Sequence, residues 1–331
     1  MNKIKIIPNK LNKGDFVRII APSRSFTILS DETKDYANKR FIEMGLKLTF
    51  GKHIKESDNF NSSSIQSRLW DLHDAFSDKK IKAIITVIGG FNSNQLLSGI
   101  DWKLIKDNPK ILCGFSDITA LNNSIYAKTG LITYSGPHYS TFGQKLYLDY
   151  TIDYFQKCLM SNNPFDISPS EKWSDDEWYI DQNKRNLMSN DGFLIINKGK
   201  AEGTILGANL CTLNLLQGTD FMPSLDNSVL FLEGDCKSSP YTFDSELQSL
   251  IHQPGFDDVK GIIIGRFQKE SKMSSNLLKQ IVQTKKELNN IPVIANVDFG
   301  HTDPKITFPI GGTCILNAIS SNSISIKITK H

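Results

Sequence analysis

KILCGFSDITALNNSIYAKTG, Lys110 to Gly130, carries three signals in twenty-one residues. The apolar run Ile111-Leu112-Cys113 reads as a buried strand. Gly114-Phe115-Ser116-Asp117 follows as a sharp turn. Ile118, Leu121, Ile125 and Tyr126 then recur at helical spacing, and Gly130 stands where a C-terminal cap belongs. Strand, turn and helix in this order are the context of a nucleophile elbow, which lifts a serine hydroxyl clear of a sheet. The amide of Asp117 would then lie at a helix N-terminus, facing a developing oxyanion. The pattern G-x-S-x-G is met only in part, because Ile118 fills the last position. A G-x-S turn after a strand also serves simply as a turn.

Upstream, Asp15 to Ala21 reads as a strand running into Pro22-Ser23-Arg24-Ser25. A helix is expected over Asp31 to Met44, a strand over Leu46 to Phe50 and an amphipathic helix over Ile65 to Phe76. Ile81 to Ile88 is almost wholly apolar, as a strand buried on both faces is, and ends in Gly89-Gly90-Phe91-Asn92. A helix is expected to carry Leu96 and Leu97. Downstream come a strand over Leu131 to Tyr134 and a helix around Tyr150 to Met160. This alternation predicts an α/β fold with a parallel, doubly wound sheet, whose ligands bind beyond the carboxyl ends of the strands. Ser23, Gly89-Gly90 and Ser116 all fall at such ends.

Between Ser161 and Lys200 no period survives. A long irregular connection is a linker or a functional lid. This one contains Trp173-Ser174-Asp175-Asp176-Glu177-Trp178-Tyr179, whose tryptophans either anchor the segment or stack on a flat ligand group. Regularity returns with strands over Ala201 to Leu206, Ser228 to Leu232, Lys260 to Ile264 and Pro292 to Val297. Helices are expected over Asn209 to Gln217, Phe243 to His252 and Asn276 to Leu288, and antiparallel strands over Lys305 to Lys330. The expected division is 1–165, a connecting segment 166–200, and 201–331.

The 331 residues have a net charge of +3 with no basic stripe interleaved with aromatics, which argues against a nucleic-acid partner. No apolar run approaches the about 20 residues of a membrane span. The start, MNKIKIIPNKLNKGD, has no apolar core of a secretory signal. Five cysteines without paired spacing suit a reducing cytoplasm. There is no HExxH, paired CxxC or GxxxxGK[ST], so neither a metal nor a phosphate-binding loop is expected.

A serine hydrolase needs a base, a group that orients the base, and an oxyanion hole. Glu233 and His301 each end an apolar strand, where catalytic groups are displayed. Each also has an ordinary reading, Glu233 with Asp235 as a solvated strand end and His301 as a loop histidine. His53, His73, His138, His252 and His331 are alternatives to His301. Cys113, inside the strand, is the rival nucleophile.

GDFVRIIAPS (Gly14 to Ser23), TVIGGFNSNQLL (Thr86 to Leu97), the extended Asn108 to Gly130 segment, LGANLCTLNLLQGTDFMP (Leu206 to Pro223), LFLEGD (Leu230 to Asp235), IIIGRF (Ile262 to Phe267) and DFGHTDPKITFPIGG (Asp298 to Gly312) resemble, in order, the serine LD-carboxypeptidase family. Ile88-Gly89-Gly90-Phe91-Asn92, in place of the R-G-G-Y-G of murein-recycling members, resembles the microcin C self-immunity branch. The resemblance implies a Rossmann- or flavodoxin-like N-terminal domain, a smaller mixed α/β C-terminal domain, and commonly a homodimer, without metal or cofactor. It implies Ser116 as nucleophile, Glu233 and His301 as its partners, and amides of Gly90 and Asp117 as the oxyanion hole. Substrate contacts are expected from Trp173, Trp178, Phe91 and Asn92. The implied substrate is a peptidyl- or aminoacyl-nucleotide. A murein tetrapeptide is the alternative, and an inactive small-molecule binding protein is a reading of another class.

Overall fold

The structure, a computed structural model, describes residues 4–320 and 323–331. Five strands open the fold: β1 (Phe16–Ile20), β2 (Lys47–Phe50), β3 (Ile81–Thr86), β4 (Ile111–Cys113) and β5 (Thr133–Ser135). All five are parallel, in the order β2-β1-β3-β4-β5. The connecting helices are α1 (Asp31–Glu43), α2 (Ile65–Ser77), α3 (Trp102–Asp107) and α4 (Thr119–Thr129), with α5 (Asp149–Leu159) after β5. Serines cap α1 and α2: Ser30 accepts from the Thr33 amide and Ser64 from the Ser67 amide. Leu96 and Leu97 lie in a 3-10 turn, Ser93–Gly99, rather than the expected α-helix.

The connection read as irregular contains four strands: β6 (Phe165–Ile167), β7 (Lys172–Trp173), β8 (Met188–Ser189) and β9 (Leu194–Asn197). Six more follow. These are β10 (Gly199–Asn209), β11 (Ser228–Glu233), β12 (Gly261–Gly265), β13 (Val293–Val297), β14 (Phe308–Ile310) and β15 (Thr313–Ser320), and β16 (Ser323–Lys330) ends the chain. An eight-stranded sheet runs β6-β16-β15-β10-β11-β12-β13-β9. Its centre, β10 to β13, is parallel and its flanks are antiparallel. The sequence hid β6 and β9 because both are edge strands. With one neighbour and a half-solvated surface, neither shows a continuous apolar run. Helices α6 (Leu210–Asn214), α7 (Pro240–Ile251) and α8 (Ser275–Gln283) pack on this sheet. No helix among the described residues is long and apolar enough to cross a membrane.

The two sheets are stitched together twice. β14 leaves the C-terminal half and pairs antiparallel with β5, as the sixth strand of the first sheet. α4 is buried almost all round, as a helix sandwiched between two layers must be. Its Asn123 donates through Nδ2 to the Gly207 carbonyl at 2.8 Å and accepts from the Gly207 amide at 3.1 Å. That reciprocal pair locks α4 to β10, so the carboxyl ends of β4, β11 and β13 converge.

Candidate active site

Ser116 sits one turn before α4 with φ +58°, in the left-handed region that a residue with a Cβ rarely occupies. Such strain is the mark of an elbow. Its neighbours leave no slack. A Cβ on Gly114 would lie 2.2 Å from Thr86 Oγ1, and one on Gly89 would lie 3.1 Å from Ser116 Oγ. Gly89, the first of the glycine pair after β3, is therefore pressed against the serine by its lack of a side chain.

Glu233 is the last residue of β11, buried, with Asn209 donating to its Oε1 at 3.1 Å. His301 follows β13 on the loop Asp298-Phe299-Gly300. A Cβ on Gly300, at φ +96°, would lie 2.7 Å from Glu233 Oε2, so the histidine reaches the glutamate only across a bare backbone. His301 Nδ1 is 2.8 Å from Glu233 Oε2, and His301 Nε2 is 3.0 Å from Ser116 Oγ. The three side chains, one from the first sheet's side and two from the second, form a continuous chain of hydrogen bonds. Burial by itself lowers the pKa of His301. The charge and hydrogen bond of Glu233, helped by Asp235 and opposed by Lys305, outweigh it and hold the imidazole above its ordinary value.

The other histidines are engaged elsewhere. His53 pairs with Glu56, His73 accepts from the Asp101 amide, His252 meets Gln248, and His331 meets Lys10. His138 is buried, with Nδ1 2.7 Å from Thr86 Oγ1 and its ring 4.3 Å from that of Phe115. Burial, with the charges of His301 and Lys305, pushes its pKa well below the ordinary value. Burial pushes the Cys113 thiol well above its own, which keeps it protonated and poor as a nucleophile.

The Asp117 side chain carries a structural role that the sequence did not signal. Its Oδ2 accepts from Ser23 Oγ at 2.6 Å and from the amides of Asn92 and Ser93 at 3.1 and 2.9 Å. Arg68, buried, donates to the carbonyls of Pro22 and Asn92 at 3.2 and 2.9 Å. The glycine loop is thus tied to the residue that follows the serine. Asn92, expected on the ligand, is buried instead. Its Oδ1 lies 3.2 Å from Ser23 Oγ, whose proton goes to Asp117, and its Nδ2 donates to Ser62 Oγ. Phe91 is half exposed at the rim.

Trp173, also expected on the ligand, lies in the β7–β8 hairpin with Arg266 4.9 Å and Lys269 5.9 Å from its ring centroid. Trp178 is partly buried at the tip, 5.8 Å from the exposed Tyr179 ring. The hairpin loop is tethered to the histidine's own loop. Ser174 and Asp303 exchange backbone hydrogen bonds at 2.7 and 2.8 Å. Asp298 accepts from the Ser170 amide at 2.7 Å, and Arg185 clamps Asp176 at 2.9 and 3.1 Å. A cavity of about 1130 Å³ is lined by Lys5, Tyr126, Glu202 and Asp226 among others and shares no residue with this cluster.

Known proteins repeat this architecture. The LD-carboxypeptidase N-terminal domain matches residues 17–136 and the LD-carboxypeptidase C-terminal domain residues 202–316. The Bacillus subtilis (strain 168) protein named "Putative carboxypeptidase YocD" is 54% identical over 98% of this chain and 99% of its own. A MccF-like protein from Bacillus anthracis str. Ames superposes with a TM-score of 0.97 at 51% identity, over 98% of this chain and 100% of its own. The microcin C7 self-immunity protein MccF of Escherichia coli is 32% identical over 96% of this chain and 94% of its own. A structure of MccF in complex with glutamyl sulfamoyl guanosine matches with a TM-score of 0.87 at 30% identity, over 98% of each chain. With both domains in family order and the fold shared throughout, the chain belongs to the LD-carboxypeptidase family and is a serine carboxypeptidase of that type.

Proposed function

We propose that this enzyme hydrolyses an amide bond through an acyl-enzyme, with Ser116 as nucleophile, His301 as general base and acid, and Glu233 holding the imidazole. Ser116 Oγ attacks the carbonyl carbon as its proton passes to His301 Nε2. The amides of Gly90 and Asp117 receive the oxyanion, a donor of this kind contributing about 3 kcal/mol. The C–N bond breaks as His301 returns the proton to the leaving nitrogen. A water, deprotonated by His301, then releases the acyl group and restores Ser116. The observation that carries the reading is the pair of contacts at 3.0 and 2.8 Å joining Ser116, His301 and Glu233.

The substrate class is a peptidyl- or aminoacyl-nucleotide. In support, MccF is bound to glutamyl sulfamoyl guanosine in a related structure, and the hairpin that carries Trp178 is anchored to the loop of His301. Trp178 and Phe91 supply apolar faces for the base, and Trp173 and Asn92 brace the surfaces that present them. The murein tetrapeptide reading draws on the LD-carboxypeptidase domain matches. Five unpaired cysteines are in keeping with a cytoplasmic setting, where we place the enzyme as a homodimer.

Turnover of an aminoacyl sulfamoyl adenosine and of a murein tetrapeptide, measured side by side, tests the reading. Ser116→Ala is expected to lose on the order of 10⁴- to 10⁶-fold in kcat while keeping its thermal midpoint. Near-full activity in that variant would sink the assignment. Cleavage of the tetrapeptide alone would move the substrate to murein and leave the three catalytic roles standing.

A further inference from the structure

The strand order β2-β1-β3-β4-β5 reverses direction between β1 and β3. In open α/β sheets ligands lie in the crevice at that switch point. The loop leaving β1 carries Pro22 to Ser25 and the loop leaving β3 carries Gly89 to Asn92. Arg24 joins the two. Its amide donates to the Gly89 carbonyl at 3.4 Å. A Cβ on Gly90 would fall 3.1 Å from Arg24 Cγ, so the arginine stem crosses Gly90, one residue along from the glycine that faces Ser116 Oγ.

Arg24 is exposed. Among the described residues no carboxylate pairs with it, whereas three other cations of the surrounding segments are committed. Lys305 is paired with Asp303, Arg266 with Asp298 and Asn190, and Arg68 with backbone carbonyls and Gln95. The rim beside Arg24 is apolar and rigid. Phe91 and Phe60 are 49% and 67% exposed with ring centroids 6.3 Å apart. Asp58 Oδ1 accepts from the Phe60 and Ser62 amides at 2.8 and 3.0 Å, and Ser62 Oγ donates to the Ser23 carbonyl at 2.7 Å. Two aromatics are therefore held out to solvent by a bonded loop, beside an unpaired guanidinium.

We propose that Arg24 reads an anionic group of the substrate adjacent to the scissile nitrogen, with the Phe91–Phe60 rim covering the apolar side of that group. This rests on the reaction proposed at Ser116. Both candidate substrates carry such an anion. A peptide acid bears its carboxylate on the carbon attached to the leaving nitrogen, and an aminoacyl sulfamoyl nucleoside bears on that nitrogen sulfonyl oxygens that share the charge left when its acidic N–H ionises. A planar guanidinium fork suits either by paired N–H···O bonds.

Steady-state kinetics of the intact enzyme separate the two sources. One arm compares a murein tetrapeptide with its terminal carboxamide. The other uses an aminoacyl sulfamoyl adenosine. A carboxylate reader is expected to favour the acid over the carboxamide at least tenfold in kcat/KM, mainly through KM. Arg24→Gln should collapse that preference below twofold, and Arg24→Lys should keep part of it. A tenfold rise in KM confined to the sulfamoyl arm also supports the proposal and assigns the anion to the nucleotide. Unchanged KM in both arms overturns it, as does a collapse seen instead in Lys237→Gln or Lys269→Gln, two exposed lysines of the C-terminal half. Should wild-type enzyme cleave neither probe, the proposed reaction fails on its own. Calorimetric affinities of Ser116→Ala with and without Arg24→Gln then decide the proposal, and equal values or no binding overturn it.

Discussion

His301 stands between a buried carboxylate and the serine hydroxyl, and its raised pKa has a definite consequence for rate. As the proposed general base it acts when neutral, so kcat/KM should rise with pH with a midpoint above the ordinary value of about 6.5. Glu233 supplies the charge that raises that midpoint. Glu233→Gln removes the charge, so the acid limb should move to lower pH. The rate should fall on the order of 10⁴-fold as the imidazole loses its preferred tautomer. A pH–rate profile of the two proteins checks both the direction and the loss, and an unmoved limb would count against Glu233. The residue types at 116, 233 and 301 were legible because each ends an apolar strand. That only His301, of six histidines, meets both a serine and a glutamate was not legible, since that choice depends on how two sheets meet.

In the proposed mechanism the loop from Gly89 to Ser93 shapes the oxyanion side, and the Asp117 carboxylate clamps that loop. Two backbone amides and the Ser23 hydroxyl converge on one oxygen. Asp117→Ala keeps the main-chain amide of residue 117 and deletes the clamp. Leaving buried donors without an acceptor costs about 1–3 kcal/mol. Expected are a lower thermal midpoint and a fall of roughly tenfold or more in kcat from a loosened Gly90, read by calorimetry and kinetics. Unchanged kcat alongside lost stability would confine the carboxylate to folding. Periodicity found the central strands and most helices, because buried strands and amphipathic helices have strong patterns. It missed β6 and β9, which have one neighbour each, and it read Ser93–Gly99 as α-helix because two adjacent leucines fit either geometry.

At the scale of the molecule, β14 makes the halves interdependent. Phe308 is buried against Phe231 of β11, at 4.6 Å between ring centroids, and against Phe299 of the histidine loop, at 5.2 Å. Yet its strand pairs with β5 of the other sheet. Phe308→Ala should cost about 3–5 kcal/mol and lower one shared unfolding transition rather than one of two. Differential scanning calorimetry makes the check, and two separated transitions in the wild-type protein would contradict the coupling. Activity should fall with the same substitution, because Phe299 lies two residues before His301.

The sequence by itself determined the α/β class, the family and the loops on which chemistry is displayed. The class and the loops follow from local pattern, apolar runs and helical spacing broken by glycine turns, and the family from the resemblance of motifs in order along the chain. The tertiary structure alone decided three further matters. It brought Ser116, Glu233 and His301 within hydrogen-bond reach across two sheets, through the Asn123–Gly207 lock between α4 and β10. It spent Asn92 and the Asp117 carboxylate on bracing a loop. It left the Arg24 guanidinium without a carboxylate partner among the described residues, at the switch point between β1 and β3. Each depends on residues far apart in the chain, and no local pattern encodes a contact whose partners are set by how buried faces pack.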